Sequence, residues 1–169
     1  MLGKNTILML FVIVGLASCK DDAGTGDEAP EISFNSIELI KTEDGFDSLM
    51  YIRFDFSDVN GDLGLRDSDT TGDFRGFNDL EIEFDEKLNN TYQPLKNRFT
   101  GEPANYHQRI PNLTPTGKNK EISGTISVLF EVNANEIYAD TVAFRLRIFD
   151  RNFNPSNEIS QTDIALNQR

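Results

Sequence analysis

After residue 30 apolar and polar residues alternate with a period of two, as in strands with one face on a core and one in water. In residues 49–57, Met50, Ile52, Phe54 and Phe56 fall on one side and Tyr51, Arg53 and Asp55 on the other. Leu80, Ile82 and Phe84 alternate with Glu81, Glu83 and Asp85. Ile126, Val128, Phe130 and Val132 repeat the pattern, as do Val142, Phe144, Leu146 and Ile148 against Arg145 and Arg147. Residues 31–41, 92–99 and 158–166 supply three shorter candidates, and Pro111, Pro115 and Gly117 mark the link before the fifth strand. Residues 133–140 have room for one helical turn, and no stretch holds a helical period. Seven short strands separated by turns predict a single antiparallel β-sandwich. Phe54, Phe56, Phe84, Phe130 and Phe144 are its expected aromatic core.

A different pattern precedes the strands. Lys4 is followed by an apolar run, residues 6–15, and then by the small residues Ala17 and Ser18. This is the layout of a secretory signal, and the run is too short for the ~20 residues of a spanning helix. Leu16-Ala17-Ser18-Cys19 matches the bacterial lipobox at all four positions. The resemblance implies cleavage before Cys19, thioether lipidation of its thiol and acylation of the new amino terminus. Cys19 is the only cysteine, so no disulfide competes for it. Lys20-Asp21-Asp22 resembles the lysine-plus-acidic signal that carries some Gram-negative lipoproteins to the cell surface, against which stands a plain polar tether. The expected divisions are a signal peptide at 1–18, the lipidated cysteine and tether at 19–30, and the domain at 31–169.

Charge narrows the partners. The full chain carries −12; losing Lys4 with the leader leaves 15 basic and 28 acidic residues, a net −13. Such a chain is repelled by phosphate backbones and by anionic head groups, which argues against nucleic-acid binding. The acidity serves solubility, or it binds cations.

Phe54-Asp55-Phe56-Ser57-Asp58-Val59-Asn60-Gly61-Asp62-Leu63-Gly64 resembles the second strand and loop of Ig-like or fibronectin-III-like lipoproteins of Gram-negative bacteria. Residues 144–149 and the following Asp150-Arg151-Asn152-Phe153-Asn154-Pro155-Ser156 resemble their penultimate strand and turn, with Phe153 where glycine is usual. The resemblance implies an Ig-like sandwich in which these two loops emerge at one end. Asp58, Asn60 and Asp62 stand at alternate positions of an Asp-x-Asn-x-Asp loop, a spacing that suits the oxygen ligands of Ca²⁺. Asp69 falls at position twelve, but Leu63 replaces the glycine an EF-hand needs and Arg66 occupies position nine. With Asp150 these residues form a candidate calcium pole. Turn formation uses the same residue types, since Asp, Asn and Gly bond their own backbone or adopt positive φ, and both readings stand.

Catalytic material is sparse. His107 is the only histidine, which leaves no histidine triad or multi-histidine zinc site to assemble. Paired carboxylates for glycoside hydrolysis are abundant but unplaced. The chain has no tryptophan, so a sugar-stacking platform would draw on Tyr51, Tyr92, Tyr106 or Tyr138. The expectation is a non-enzymatic, lipid-anchored binding or structural module of the outer membrane, with Ca²⁺ as its one candidate cofactor. It would contact the membrane through Cys19 and meet a protein or polysaccharide partner. A glycan- or polymer-binding surface lipoprotein is the alternative, and a hydrolase is the third reading.

Overall fold

Seven strands are present among the described residues, and each grows from one of the alternating segments. The computed structural model describes residues 28–97, 100–116, 121–132 and 137–168; Leu16, Ala17, Ser18 and Cys19 lie outside them. The strands are β1 (Glu31–Lys41), β2 (Asp47–Asp58), β3 (Leu80–Leu88), β4 (Thr91–Pro94), β5 (Ile122–Glu131), β6 (Thr141–Ile148) and β7 (Ile159–Ala165). All pairings are antiparallel and form two sheets, β1-β2-β5 and β4-β3-β6-β7. This is a β-sandwich. Its strand order differs from that of a constant-type Ig domain only in the fourth strand, which pairs with the third instead of the first sheet.

The inward faces are the ones the alternation selects. Ile52 and Phe54 of β2 and Ile82, Phe144, Leu146 and Ile148 of the facing sheet have almost no contact with solvent. The Phe84 ring lies edge-on to Phe130 at 5.1 Å and to Tyr106 at 5.2 Å, an arrangement that suits the ring quadrupoles. Burying a side chain of this size stabilises by roughly 1.5–3 kcal/mol. On the outer face of β3 and β6 the register sets Glu81 opposite Arg147 and Glu83 opposite Arg145. The two cross-strand ion pairs are 2.6 and 2.7 Å long. Exposed pairs of this kind add only about 0–1 kcal/mol each.

Two expected strands shift. The fourth ends at Pro94, which lacks an N–H to continue the ladder. The chain then turns back through a Lys96–Pro103 bridge and an Asn97 N–H to Glu102 carbonyl bond of 2.8 Å. Phe99, the expected end of that strand, lies outside the described residues. The fifth begins at Ile122, four positions before the apolar alternation starts. Gly124 is paired with Phe56, and a β-carbon there would stand 3.3 Å from the ring. The glycine gives the Phe56 ring room. Residues 133–136, where one helical turn had room, are outside the described residues, and Tyr138–Asp140 are not helical.

Both ends of the domain are assigned by register. Glu31 pairs with Ser57 at the end of β2, so the chain enters at the pole that also holds the β2–β3 and β6–β7 links. At the opposite pole Asp47, the first residue of β2, is hydrogen-bonded to Asn167 after β7 in both directions, at 2.7 and 2.8 Å.

Candidate functional site

The β2–β3 and β6–β7 links meet, as an Ig-like arrangement requires. Leu63 forms an antiparallel bridge with Asp150. The Arg151 N–H donates to the Asp62 carbonyl at 3.2 Å, and Asn152 Nδ2 to Asp62 Oδ2 at 2.9 Å. Leu63, the residue in place of an EF-hand glycine, is fully buried and carries the loop into the core.

The two links are built alike. β2 ends in Asp58, whose carboxylate accepts the backbone N–H groups of Asn60 at 3.1 Å and Asp62 at 2.9 Å. β6 is followed by Asp150, whose Oδ1 accepts those of Asn152 and Asn154, both at 2.8 Å. Each aspartate is thus buried and caps the backbone two and four residues on, the Asx-turn use of the side chain. Asp150 Oδ2 takes a further bond from Asn154 Nδ2 at 2.8 Å.

The five candidate calcium ligands divide under this geometry. Asp58, Asp62 and Asp150 do converge. Burial raises the carboxyl of Asp58, partly opposed by the backbone N–H groups it accepts. Burial, then the neighbouring charges of Asp150 and Asp58, push Asp62 up to about 6. Asp62 Oδ1 is buried with no hydrogen-bond partner, the one feature here that favours a cation. Asn60 is oriented by its Nδ2, which donates to the Glu28 carbonyl at 2.9 Å, a bond that does not use its ligand atom Oδ1. Asp69 accepts the Arg66 N–H at 2.8 Å and pairs with the Arg151 guanidinium at 2.6 Å; these two partners, Arg151 first, hold it below the usual carboxylate range. Among the described residues no group of three or more His, Cys, Asp or Glu is placed to hold a metal ion. The donor set does not fit a closed calcium site, and turn formation accounts for it better. Arg151 supplies the positive charge, and its Nη1 also bonds the Gly64 carbonyl at 3.2 Å.

Phe153 adopts φ 65°, the left-handed conformation that glycine occupies at ease and a bulky residue rarely does. Its ring stacks on Phe74 at 5.3 Å and meets Phe77 edge-on at 4.8 Å, while the Arg151 guanidinium lies 5.2 Å from the Phe74 ring. Phe74 belongs to a single 3₁₀ turn, Gly72–Phe74. Phe74 and Phe77 therefore bind the outer part of the β2–β3 link to the β6–β7 turn. Their spacing carries no period-two signal, so the sequence pattern conceals the cluster.

A second concavity lies on the outer face of the four-stranded sheet. It is a cleft of about 360 Å³ between β3 and the chain that follows β4, with Glu83, Asp85, Asn105, His107 and Arg145 on its walls. Arg145 bridges Glu83 at 2.7 Å and Asp85 at 3.5 Å. The bond from Glu83, offset in part by burial, raises the guanidinium further above its ordinary value. His107 Nδ1 accepts the Ile82 backbone N–H at 3.1 Å, which leaves Nε2 to carry the proton of the neutral ring. The candidate stacking tyrosines are dispersed. Tyr106 packs in the core, Tyr92 bonds Asp163 at 3.0 Å, Tyr51 lies beside Arg53 on the other sheet, and Tyr138 projects from the far pole.

Comparison with models of protein families, with characterised proteins and with solved structures finds no match.

Proposed function

We propose that this chain is a lipid-anchored β-sandwich of the Gram-negative cell envelope, acting as a non-enzymatic binding or structural module. One observation carries the reading: Leu16-Ala17-Ser18-Cys19 closes an apolar leader, and twelve residues later a folded domain begins. The intervening 19–30 stretch is small, polar and rich in Gly and Asp, the composition of a tether. Lys20-Asp21-Asp22 favours export to the cell surface. The closing experiment is Cys19→Ser. The wild-type chain sediments with membranes and gains the mass of a diacylglyceryl group and an acyl chain, whereas the variant is released. A variant that stays in the membrane fraction refutes the anchor, and digestion by protease added to intact cells distinguishes surface from periplasmic display.

A second reading, a glycan- or polymer-binding lipoprotein, is favoured by the cleft at Arg145. Its carboxylates, guanidinium, amide and imidazole are the hydrogen-bonding groups that recognise hydroxyl-rich polymers. On a glycan array, binding abolished by Arg145→Ala together with Glu83→Gln supports it. An array with no signal returns the reading to a protein partner or a structural role.

A further inference from the structure

We propose that the free edge of β5 pairs antiparallel with β5 of a second copy of this chain, around a two-fold axis at Ser127. The inference does not depend on the lipid anchor.

The two open sheets have four edge strands, β1 and β5 in one and β4 and β7 in the other. Edges expose unpaired backbone groups, and proteins that stay single blunt them with bulges, short strands, proline or lysine. Three of these edges are blunted. β1 breaks register after Phe34 and after Ile40, and the Asn157 side chain caps Ile32 through both its N–H and its carbonyl. β4 is four residues long and ends in Pro94. β7 breaks register opposite Val142 and Phe144, and Asp163 within it has φ 55°. β5 has none of these devices. It runs ten residues in unbroken register with β2, without proline, lysine or arginine. Among the described residues no strand pairs with its outer side, because the strand that would flank it in a constant-type Ig domain pairs with β3 instead.

The phase of the ladder identifies the free groups. The Val132 N–H donates to the Ser48 carbonyl at 2.9 Å, in register with the β2–β5 pairing. Alternation along an antiparallel ladder then turns the even-numbered residues of β5 toward β2. It turns the N–H and C=O groups of Ser123, Thr125, Ser127, Leu129 and Glu131 outward. Such a row is complemented by another extended backbone.

The side chains of the edge select a second copy as that backbone. Inward faces must meet inward faces, so a two-fold axis lies on a residue and not between two. Axes at Ile126 and at Ser127 overlap almost the whole strand. The first sets Glu121 against Glu131, and like charges directly opposite one another are destabilising. The second sets Glu131 against Ser123, Thr125 against Leu129 and Ile126 against Val128. It covers Leu129, which is 44 % exposed, and lays the half-buried Ile126 beside a further apolar side chain. The net charge of −12 opposes the approach of two copies, but within β5 only Glu131, at the last position, is charged. Salt screens that repulsion and is expected to strengthen the pairing.

The test uses the full-length protein in detergent, followed by light scattering from micromolar to near-millimolar concentration. A mass rising to two copies is expected, with a larger dimer fraction at high salt. Ser127→Pro removes only an N–H that faces the free edge, where proline is tolerated, and Ser127→Lys sets two ammonium groups against each other on the axis. Each is expected to weaken the dimer about tenfold or more; should the proline unfold the domain, the lysine variant decides alone. Ser127→Cys is expected to oxidise to a linked dimer, since the paired Cα atoms would stand about 5.5 Å apart, within the span of a disulfide. Ser160→Cys on β7 is expected not to, and the unaltered chain, whose only cysteine is Cys19, is the blank. A single-copy mass at every concentration overturns the proposal. So does a dimer that survives the Ser127 substitutions, or one that crosslinks no better through Ser127→Cys than through Ser160→Cys.

Discussion

The Arg151 guanidinium and the Asp69 carboxylate, 82 residues apart, meet at 2.6 Å and join the β6–β7 turn to the β2–β3 link. Asp69 had been a candidate metal ligand by position. In the fold a side chain of this protein occupies the cationic role instead.

Arg151→Met is therefore expected to lower the thermal midpoint and loosen both links, because the Gly64 carbonyl loses a donor at the same time. Arg151→Lys restores only part of the loss, since an ammonium cannot reproduce the planar fork. Pairing Arg151→Met with Asp69→Asn in a double-mutant cycle checks the coupling. Strict additivity of the two midpoints would show that the contact contributes nothing.

Stability should fall as pH rises from about 4 to about 6. Burial pushes Asp62 and Asp79 up to about 6 from 3.8, the former helped by Asp150 and Asp58, and Asp58 is raised too. In that window the folded chain holds protons that the unfolded chain has released, so deprotonation disfavours folding. Asp69 and Asp163, held low by Arg151 and Lys87, act oppositely, and their contribution is lost only as pH falls below about 4. Asp62→Asn removes one of the raised carboxylates; melts between pH 4 and 8 are expected to show a higher midpoint near neutrality and a shallower slope. An unchanged slope would count against a raised Asp62.

Millimolar Ca²⁺ is expected to leave the midpoint of the domain unmoved relative to chelator, because Asp58, Asp69 and Asp150 are already engaged. A closed site at a hundredfold excess over Kd would stabilise by about 2.7 kcal/mol, a shift of several degrees. A shift of that size, abolished by Asp62→Asn, would restore calcium to the pole.

Leu63 and Gly64 test whether the loop is part of the core. Leu63→Ala is expected to cost about 2–5 kcal/mol, the range for a buried leucine. Gly64 has φ 88°, and a β-carbon there would stand 2.2 Å from the Pro111 carbonyl oxygen. Gly64→Ala must therefore displace backbone, at a cost of about 1–3 kcal/mol or more. Denaturant unfolding measures both, and a surface-like change below about 0.5 kcal/mol in either would detach the loop from the core.

The strands were legible because alternation is local: Met50, Ile52, Phe54 and Phe56 announce their shared face whatever lies opposite. The fifth strand was read short because Ser123, Gly124 and Thr125 look like a turn until the Phe56 ring is set against them. The convergence of the two links followed from topology, and Asp58, Asp62 and Asp150 do meet there. What those carboxylates bond to was not legible, because that depends on which way each side chain turns. The aromatic cluster was hidden for a related reason: Phe74, Phe77 and Phe153 come together only through the fold.

The placement of the two ends at opposite poles has a mechanical side. Under the proposed lipid anchor, a partner held at the far pole would pull along the length of the strands. The load enters at β1, whose ten register pairs with β2 lie across the direction of pull, and are sheared together instead of opening one by one. At the point of entry Asn157 grips Ile32 through both its N–H and its carbonyl, at 2.9 and 2.8 Å, tying that strand to the opposite sheet. So loaded, the domain would resist extension best along the axis of the proposed tether.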